Sequence, residues 1–316
     1  MVRFLIECEE LCKRFGRLQA VDRVSFRVEA GEVMALLGPN GAGKTTTLRM
    51  LASILTPSSG QATVNGFDTL TQPDQVRRSL GLLTEHHGLY TRMRADEYLT
   101  FFGRAYGLPE AEIVRRADEL LHRLDIADSR KRRLGEFSKG MRQKLALARA
   151  LIHDPTVLLL DEPTSAMDPA SARLVRDAIL ALRGGARAIV VSTHNLAEAE
   201  MLADRIAIIR QGRLIEQGTP ADLKERVLGN AVMELRLTEP VDGHTRALPK
   251  EVHVLESGER WLRYATDDPA RDNPALLRSL AEAGASVLSL AERPRSLEEV
   301  YLKVMGNPPV AEADGA

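Results

Sequence analysis

The sequence predicts an α/β fold: a mostly parallel sheet with an inserted helical subdomain, followed by a small C-terminal α/β domain. Short apolar runs that suit buried strands alternate with helical stretches, and these runs lie at 33–37, 157–163, 187–194 and 205–212. Such alternation favours parallel strands joined by crossover helices. A glycine-rich stretch follows the first run, and the apolar pattern changes after Pro220. We therefore expect a ligand-binding sheet domain and a separate appendage.

The first elements are predicted as a strand, an acidic turn and a second strand. Residues 24–28 (VSFRV) and 33–37 (VMALL) flank the turn EAGE, and the second run suits a strand buried on both faces. The next helix is predicted over 45–55, because its apolar residues fall on one face before Pro57 and Gly60. A strand, a glycine loop and a helix thus follow one another.

The rest of the chain is divided by its changing periodicity. Residues 91–152 look helical throughout and form the predicted insertion. The first domain, which contains this insertion, is expected to extend over 1–222. Strand-like VMELRLT and RWLRYAT, followed by two helical stretches, predict a small α/β domain over 231–306. The polar, proline-containing residues 307–316 are predicted to be a disordered tail.

Composition excludes several classes of function. A formal net charge of −1, without a basic tract carrying interleaved aromatic residues, argues against nucleic-acid binding. Cys8 and Cys12 have no second pair at metal-site spacing, so ordinary packing in a reducing compartment is favoured over a disulfide or metal role. We expect neither a signal peptide nor a membrane span, since no apolar run reaches roughly 18 residues. Work at a membrane would need a partner protein there.

The stretch GPNGAGKT, at 38–45, fits the phosphate-loop pattern in the strand–loop–helix context that this pattern requires. Its glycines let successive backbone N–H groups point at phosphate oxygens, and the following helix adds its positive end. Lys44 is expected to reach the β- and γ-phosphates, and the Thr45 hydroxyl to ligate Mg²⁺. A glycine-rich turn before a helix is the bland alternative. The predicted nucleotide-binding residues are Gly38, Pro39, Asn40, Gly41, Ala42, Gly43, Lys44, Thr45 and Thr46.

Polar side chains end two further apolar strands. Asp161 and Glu162 close the run LLLDEP, and alternation along a strand predicts different tasks for the two acids. Asp161 suits Mg²⁺, and Glu162 is then free to orient or deprotonate an attacking water. His194 ends RAIVVSTH at the same predicted edge, where it would donate to a γ-phosphate. The alternatives are two solvated acids and a structural histidine.

The stretch EFSKGMRQK opens a predicted helix with Lys139, Arg142 and Lys144, although the start of a helix favours negative charge. With the phosphate loop and LLLDEP in the same order, the sequence resembles the ATP-binding subunits of ABC transporters from residue 3 to about 220. In that family the corresponding motif, LSGGQ, binds the γ-phosphate of an ATP held by another subunit. The resemblance implies this role for Ser138 and Gly140, although Lys139 and Met141 depart from the motif.

Three more residues receive roles from the resemblance. Phe15 resembles the aromatic residue that stacks on adenine, although a strand phenylalanine also suits a core. Asp168 in SAMD resembles the acid through which two ATP-binding subunits communicate. Glu85 in LLTEHHGLY replaces a Gln that touches Mg²⁺ and water in a loop that senses the membrane partner. Glu85 would still ligate the metal. His86 and His87 fit a polar loop better than a metal site.

The resemblance implies a phosphate-loop NTPase (RecA-like) sheet and a cytoplasmic ATPase, peripheral on the inner face of the cell membrane. It implies ATP and Mg²⁺ as cofactors, permease subunits that span the membrane, and a homodimer or paralogous heterodimer around two ATP molecules. FSKGMRQK, TEHHGLY and the C-terminal extension resemble drug, sodium or lipid exporters. The alternatives are a soluble ABC-type ATPase not coupled to transport, or a regulator that binds ATP without turnover. The presence of Glu162 argues against the regulator.

Overall fold

The computed structural model describes residues 4–84, 88–165, 167–183, 185–243, 248–249 and 252–306. The chain divides into two compact units, the first ending at Pro220 and the second beginning at Ala221. The domain limits proposed from sequence stay a prediction, and the tail at 307–316 lies outside the described residues. In the part of the chain that the structure covers, no helix combines the length and the apolar character needed to cross a membrane.

The first unit is built around a six-stranded sheet in the order β10-β9-β3-β8-β7-β6. Strands β3, β6, β7, β8 and β9 are parallel, and β10 pairs with β9 in the antiparallel sense at one edge. The fold-class prediction is confirmed. The strands are β3 (Val33–Leu37), β6 (Leu80–Leu83), β7 (Val157–Asp161), β8 (Ala188–Thr193), β9 (Arg205–Arg210) and β10 (Arg213–Gly218).

Every residue of β3, β7 and β8 is buried, which explains their continuous apolar sequence. Because these strands are parallel neighbours, their carboxyl ends lie side by side at one edge of the sheet. The glycine loop, the two acids and His194 each follow one of these ends. The sheet topology therefore assembles the predicted site.

A second, antiparallel sheet packs its apolar side chains into the same core as β3 and β7. Sequence analysis found only part of one of its strands, 24–28, since these strands carry many exposed polar residues. The sheet consists of β1 (Phe4–Phe15), β2 (Leu18–Glu29), β4 (Ser59–Val64) and β5 (Phe67–Asp68).

The helices of the first unit differ from the prediction at the first helix and within the insertion. Helix α1 (Lys44–Leu51) ends well before residue 55, because Ser53 adopts a left-handed conformation with φ of 53°. Leu55 still packs against the core from the following turn. The remaining crossover helices are α2 (Pro73–Ser79), α6 (Pro169–Leu180) and α7 (Leu196–Leu202).

Residues 91–152 are not helical throughout, because turns and short 3-10 segments separate the helices of the insertion. The helices are α3 (Ala95–Ala105), α4 (Glu110–Arg123) and α5 (Lys139–Leu151). They share one apolar core with β7, and Tyr98, Leu120 and Leu147 are among its members. This shared core holds the start of α5 relative to the sheet.

The second unit is a small α/β domain with an antiparallel sheet in the order β12-β13-β11-β14. Its core includes Leu235, Tyr264 and Leu276. Strands β11 and β13 match the sequence prediction, whereas β12 and β14 were missed because most of their side chains are exposed. The elements are α8 (Pro220–Leu228), β11 (Ala231–Leu237), β12 (His253–Ser257), β13 (Trp261–Thr266), α9 (Pro269–Glu282), β14 (Val287–Glu292) and α10 (Leu297–Gly306).

Candidate functional site

The glycine loop between β3 and α1 has a backbone that tolerates no side chain at two positions. A Cβ at Gly38 would lie 2.2 Å from the carbonyl oxygen of Ile209, and one at Gly43 would lie 2.6 Å from that of Ala20. Gly43 also has a φ of 105°, a conformation that residues with a Cβ rarely adopt. The loop is therefore held by neighbouring strands in a curled form that suits an anion.

The Lys44 side chain is buried at the centre of this loop. Its Nζ donates to the carbonyl oxygens of Gly38 at 2.6 Å and Pro39 at 3.2 Å. The same ammonium lies 3.5 Å from Oε1 of Glu162. These contacts place one positive charge between the phosphate loop and the acid that follows β7.

Thr45 and Asp161 bring two oxygen ligands together. The Thr45 hydroxyl donates to Oδ1 of Asp161 at 3.0 Å, and the Ser192 hydroxyl donates to the same oxygen at 2.5 Å. Asp161 is buried at the end of β7. Hydroxyl and carboxylate oxygens are the donors that Mg²⁺ prefers, so this pair fits the predicted ion.

Glu162 lies just beyond β7 and turns the chain with a left-handed φ of 50°. Its backbone N–H donates to the carbonyl oxygen of Ser192 at 3.1 Å, which ties the turn to the neighbouring strand. The Glu162 carboxylate contacts Lys44, and Asp161 contacts the next residue, Thr45. Strand alternation is therefore the wrong basis for separating the two acids. The two carboxylates do have different partners in the structure, because hydroxyl groups contact Asp161 and the Lys44 ammonium contacts Glu162.

His194 contacts Glu162 directly. Its Nδ1 lies 3.0 Å and 2.9 Å from the two carboxylate oxygens, and its side chain is 54% exposed. This contact leaves Nε2 available to another group. The ring donates hydrogen bonds from both nitrogens only as an imidazolium. A Glu162–His194 pair thus stands beside the buried Lys44.

The start of α5 carries the predicted residues Ser138 and Gly140. Ser138 is the N-cap, and its hydroxyl accepts a hydrogen bond from the backbone N–H of Met141 at 3.2 Å. Gly140 faces the start of α6, where a Cβ at Gly140 would lie 3.7 Å from Cε of Met167 and 3.8 Å from Oγ of Ser171. These residues form a helix start of the kind that binds anions.

The three basic residues near that helix start differ in exposure and in their partners. Lys139 is exposed, whereas the buried Lys144 pairs with Asp125 at 3.8 Å. An Arg142 guanidinium nitrogen donates to the carbonyl oxygen of Gly135 at 3.1 Å. The expectation that all three residues charge the helix start is wrong for Lys144, since α5 turns this side chain into the protein.

The remaining predicted residues are Phe15, Asp168 and Glu85. Phe15 is 48% exposed, with Nζ of Lys13 lying 5.2 Å from its ring centroid, so it is a surface ring rather than a core residue. Asp168 caps α6 and accepts from the backbone N–H of Ser171 at 3.0 Å, a bond that lowers the pKa of this carboxyl. Glu85, with its neighbours His86 and His87, lies outside the described residues.

Gln143 and Glu198 are among the buried polar residues beside the site that sequence analysis missed. Gln143 of α5 donates to the carbonyl oxygens of Glu162 at 3.3 Å and Pro163 at 2.9 Å. Glu198 of α7 accepts hydrogen bonds from hydroxyl groups near both Glu162 and His194. The one available signal was a polar residue on the apolar face of a helix, which does not reveal a distant partner.

Family comparisons match both parts of the chain. A family model described as ABC transporter matches residues 21–165. A second, described as the C-terminal domain of DrrA1-3-like ATP-binding proteins, matches residues 218–305. The matched ranges thus fall in both compact units.

Similar individual proteins cover most of the chain. The daunorubicin resistance ATP-binding protein DrrA3 of Streptomyces coeruleorubidus is 37% identical over 296 residues, covering 93% of this chain and 94% of that protein. The ABC transporter ATP-binding protein NatA of Bacillus subtilis (strain 168) is 47% identical over 209 residues, covering 66% and 85% respectively. A solved ATP-binding subunit of an ABC transporter superimposes with a TM-score of 0.65 and 32% identity, over 71% of this chain and 94% of that one.

Proposed function

Since this chain belongs to the ABC transporter family of ATP-binding subunits, we propose that Glu162 and His194 perform its ATP hydrolysis, with Ser138 of a second copy binding the γ-phosphate. The chain binds and hydrolyses ATP, and the subunits dimerise around two ATP molecules to drive separate membrane-spanning partners. One observation supports these residue roles. Lys44 and His194 both contact the carboxylate of Glu162, at 3.5 Å and 2.9 Å respectively.

Each part of the cluster has a defined task in this proposal. The glycine loop binds the phosphates through its backbone N–H groups, and Lys44 places its charge on the β- and γ-phosphates. Glu162 accepts a proton from water as the water oxygen bonds to the γ-phosphorus and the bond to the ADP oxygen breaks. His194 orients the Glu162 carboxylate through Nδ1. In its imidazolium form the same ring would donate from Nε2 to the γ-phosphate.

Thr45 and Asp161 are the residues that would hold Mg²⁺, since their hydroxyl and carboxylate oxygens already lie 3.0 Å apart. The ion, when bound, neutralises negative charge that develops on the phosphate oxygens. Asp161 is kept in place by the Ser192 hydroxyl, so its oxygen does not depend on the nucleotide for its orientation. A role for Glu85 at the metal is part of the same proposal.

Removal of divalent metal tests the ATPase assignment. We expect the purified chain to hydrolyse ATP with Mg²⁺ and to lose at least about 10²-fold in rate with excess EDTA. Without the ion, the negative charge that develops on the phosphate oxygens is not neutralised. Phosphate release is the measurement, and re-addition of Mg²⁺ is the control. Hydrolysis that continues unchanged in EDTA would contradict the roles given to Thr45 and Asp161.

The transporter is proposed to be an exporter, with the chain bound to its permease on the cytoplasmic face of the membrane. The drug-resistance relatives, and the match of the C-terminal unit to a DrrA-like domain, support this direction of transport. Substrate recognition is assigned to the permease, because the site described here recognises a nucleotide. ATP-dependent loss of substrate from cells, measured with and without this chain, separates an exporter from an uncoupled ATPase.

The proposed permease contact is an exposed aromatic pair formed by Phe101 of α3 and by Tyr90, which precedes the helical insertion. Tyr90 and Phe101 are 52% and 48% exposed, and their ring centroids lie 6.0 Å apart. Exposed apolar side chains that adjoin one another mark interaction surfaces more often than isolated ones do. Tyr90 also follows closely after Glu85, whose loop senses the membrane partner in the family resemblance. The pair is therefore assigned to the permease.

Replacing Tyr90 and Phe101 together with Ala is expected to weaken binding to membranes that contain the permease by about 10-fold or more, because aromatic anchors dominate interface energies. Cosedimentation with those membranes is the measurement, and ATP hydrolysis by the isolated chain should change by less than about twofold. Val114→Ala, at a 59% exposed position of α4, is the matched control. Wild-type binding by the double variant would rule out this surface.

A further inference from the structure

A buried glutamate in α7 joins the two segments that carry the hydrolytic residues. Glu198 is 3% exposed, and each of its carboxylate oxygens accepts a hydrogen bond from a threonine hydroxyl. The Thr164 hydroxyl donates to Oε1 at 2.5 Å, and the Thr193 hydroxyl donates to Oε2 at 2.6 Å. A single side chain thus bridges the segment after β7 and the end of β8.

The two threonines stand close in sequence to the reacting pair. Thr193 immediately precedes His194, and Thr164 follows Glu162 by one intervening proline. The Glu198 carboxylate therefore links the two segments through side chains, in addition to the backbone hydrogen bond from Glu162 to Ser192. His194 Nδ1 meets Glu162 at 2.9 Å in this arrangement.

The direction of the Thr193 hydrogen bond is determined by a third contact. The backbone N–H of Asn195 donates to Oγ1 of Thr193 at 3.0 Å, so the proton of this hydroxyl is directed to Glu198. The Asn195 side chain in turn accepts from the backbone N–H of Glu198 at 3.1 Å and caps α7. Helix α7 and the His194 segment are thereby locked to each other in one geometry.

We propose that Glu198 is a positioning residue for ATP hydrolysis, which holds the Glu162 and His194 segments in register through Thr164 and Thr193. The inference rests on the roles proposed above for Glu162 and His194. Because Glu198 acts through these residues and not on the nucleotide, its loss should slow the chemical step and leave ATP binding intact. A misplacement of about 1 Å in a reacting group can cost about 10²-fold in rate.

The test compares two substitutions at position 198 with one control. Glu198→Ala should lower kcat about 30-fold with a KM for ATP within about twofold of wild type. Glu198→Gln should stay within about threefold of the wild-type kcat, because an amide accepts from one threonine hydroxyl and donates to the other. Glu200→Ala, at an exposed glutamate of the same helix, should leave both constants unchanged.

Partial loss of the bridge gives a second test if Glu198→Ala does not fold. Thr164→Val keeps the side-chain shape and removes one donor, and it should lower kcat about 5-fold at a temperature where the variant stays folded. The midpoint of thermal unfolding should also fall, because a buried carboxylate oxygen loses its donor. The Thr164→Val and Glu198→Gln effects should be non-additive if both act through the same hydrogen bond. A purely structural role predicts instead that kcat at that temperature is unchanged although the midpoint falls, or that the two effects add.

At position 198, two results would overturn the proposal: a Glu198→Ala variant with wild-type kcat, or equal losses of activity in the Ala and Gln variants. The Glu162→Gln variant separates these failures from a failure of the residue roles. If Glu162→Gln is inactive while Glu198→Ala has wild-type kcat, only the positioning role of Glu198 is lost. If Glu162→Gln has the wild-type rate, the proposed roles themselves are wrong.

Discussion

Replacing Glu162 with Gln is expected to lower ATP hydrolysis by about 10³-fold, because the variant has no carboxylate to accept a proton from the attacking water. ATP binding should stay within about twofold of wild type. Lys44 retains its hydrogen bonds to the carbonyl oxygens of Gly38 and Pro39, so the phosphate loop keeps its lysine in place without the acid. The substitution therefore separates catalysis from binding.

Single-turnover phosphate release and equilibrium binding of a fluorescent ATP analogue measure these two effects. The matched control is Glu32→Gln, which also replaces a glutamate with its amide and removes an ion pair with Arg205 at 3.0 Å. Glu32 immediately precedes β3, at the edge of the sheet opposite the phosphate loop, so its loss should not alter the rate. A Glu162→Gln variant that hydrolyses ATP at the wild-type rate would exclude Glu162 as the base.

The part of the site that sequence predicted best is the part encoded by consecutive residues. The glycine loop needs a curled backbone, and Gly43, with φ of 105°, supplies a conformation that few other residues adopt. Asp161 and His194 were placed at one edge because fully buried apolar runs favour parallel strands, whose carboxyl ends meet. Local chain geometry and strand direction were sufficient for both inferences.

The unpredicted part depends on contacts between residues far apart in the chain. Glu198 meets Thr164 across 34 positions, and Gln143 meets the carbonyl oxygen of Pro163 across 20. Neither partner carries a pattern that identifies the other, since a buried polar residue on a helix shows only that some partner must exist. The left-handed turn at Glu162 was missed for the same reason: Ser192, on the neighbouring strand, accepts the hydrogen bond of that turn.

Surface-exposed secondary structure was also hard to predict. Strand β12 is exposed along its whole length, so no alternation of apolar and polar residues marks it. The helical content of residues 91–152 was overestimated, because helix-favouring residues continue through the turns between the helices. These errors do not affect the prediction of the site, since the site depends on β3, β7, β8 and the start of α5.

Mixing two inactive variants is expected to restore ATP hydrolysis if Ser138 acts on the ATP of a second copy. Lys44→Ala disables the phosphate loop, and Ser138→Arg places a large cation at the exposed helix start. In a mixed dimer both defects fall on one composite site, and the other site combines an intact loop with an intact Ser138. An equal mixture should therefore regain about one quarter of wild-type activity, because about half of the dimers are mixed and each has one working site.

Mixing Lys44→Ala with Glu162→Gln is the control that makes the recovery specific. Both substitutions lie on the phosphate-loop side, so every dimer has a defect on that side in each of its sites, and no activity should return. Hydrolysis is measured after the variants are mixed at a concentration that allows subunit exchange. Recovery in the first mixture alone supports a composite site shared by two copies of this chain. Failure of the first mixture, with both variants folded and able to dimerise, would exclude Ser138 as the contact across a homodimer and leave a paralogous partner as the source of the second half-site.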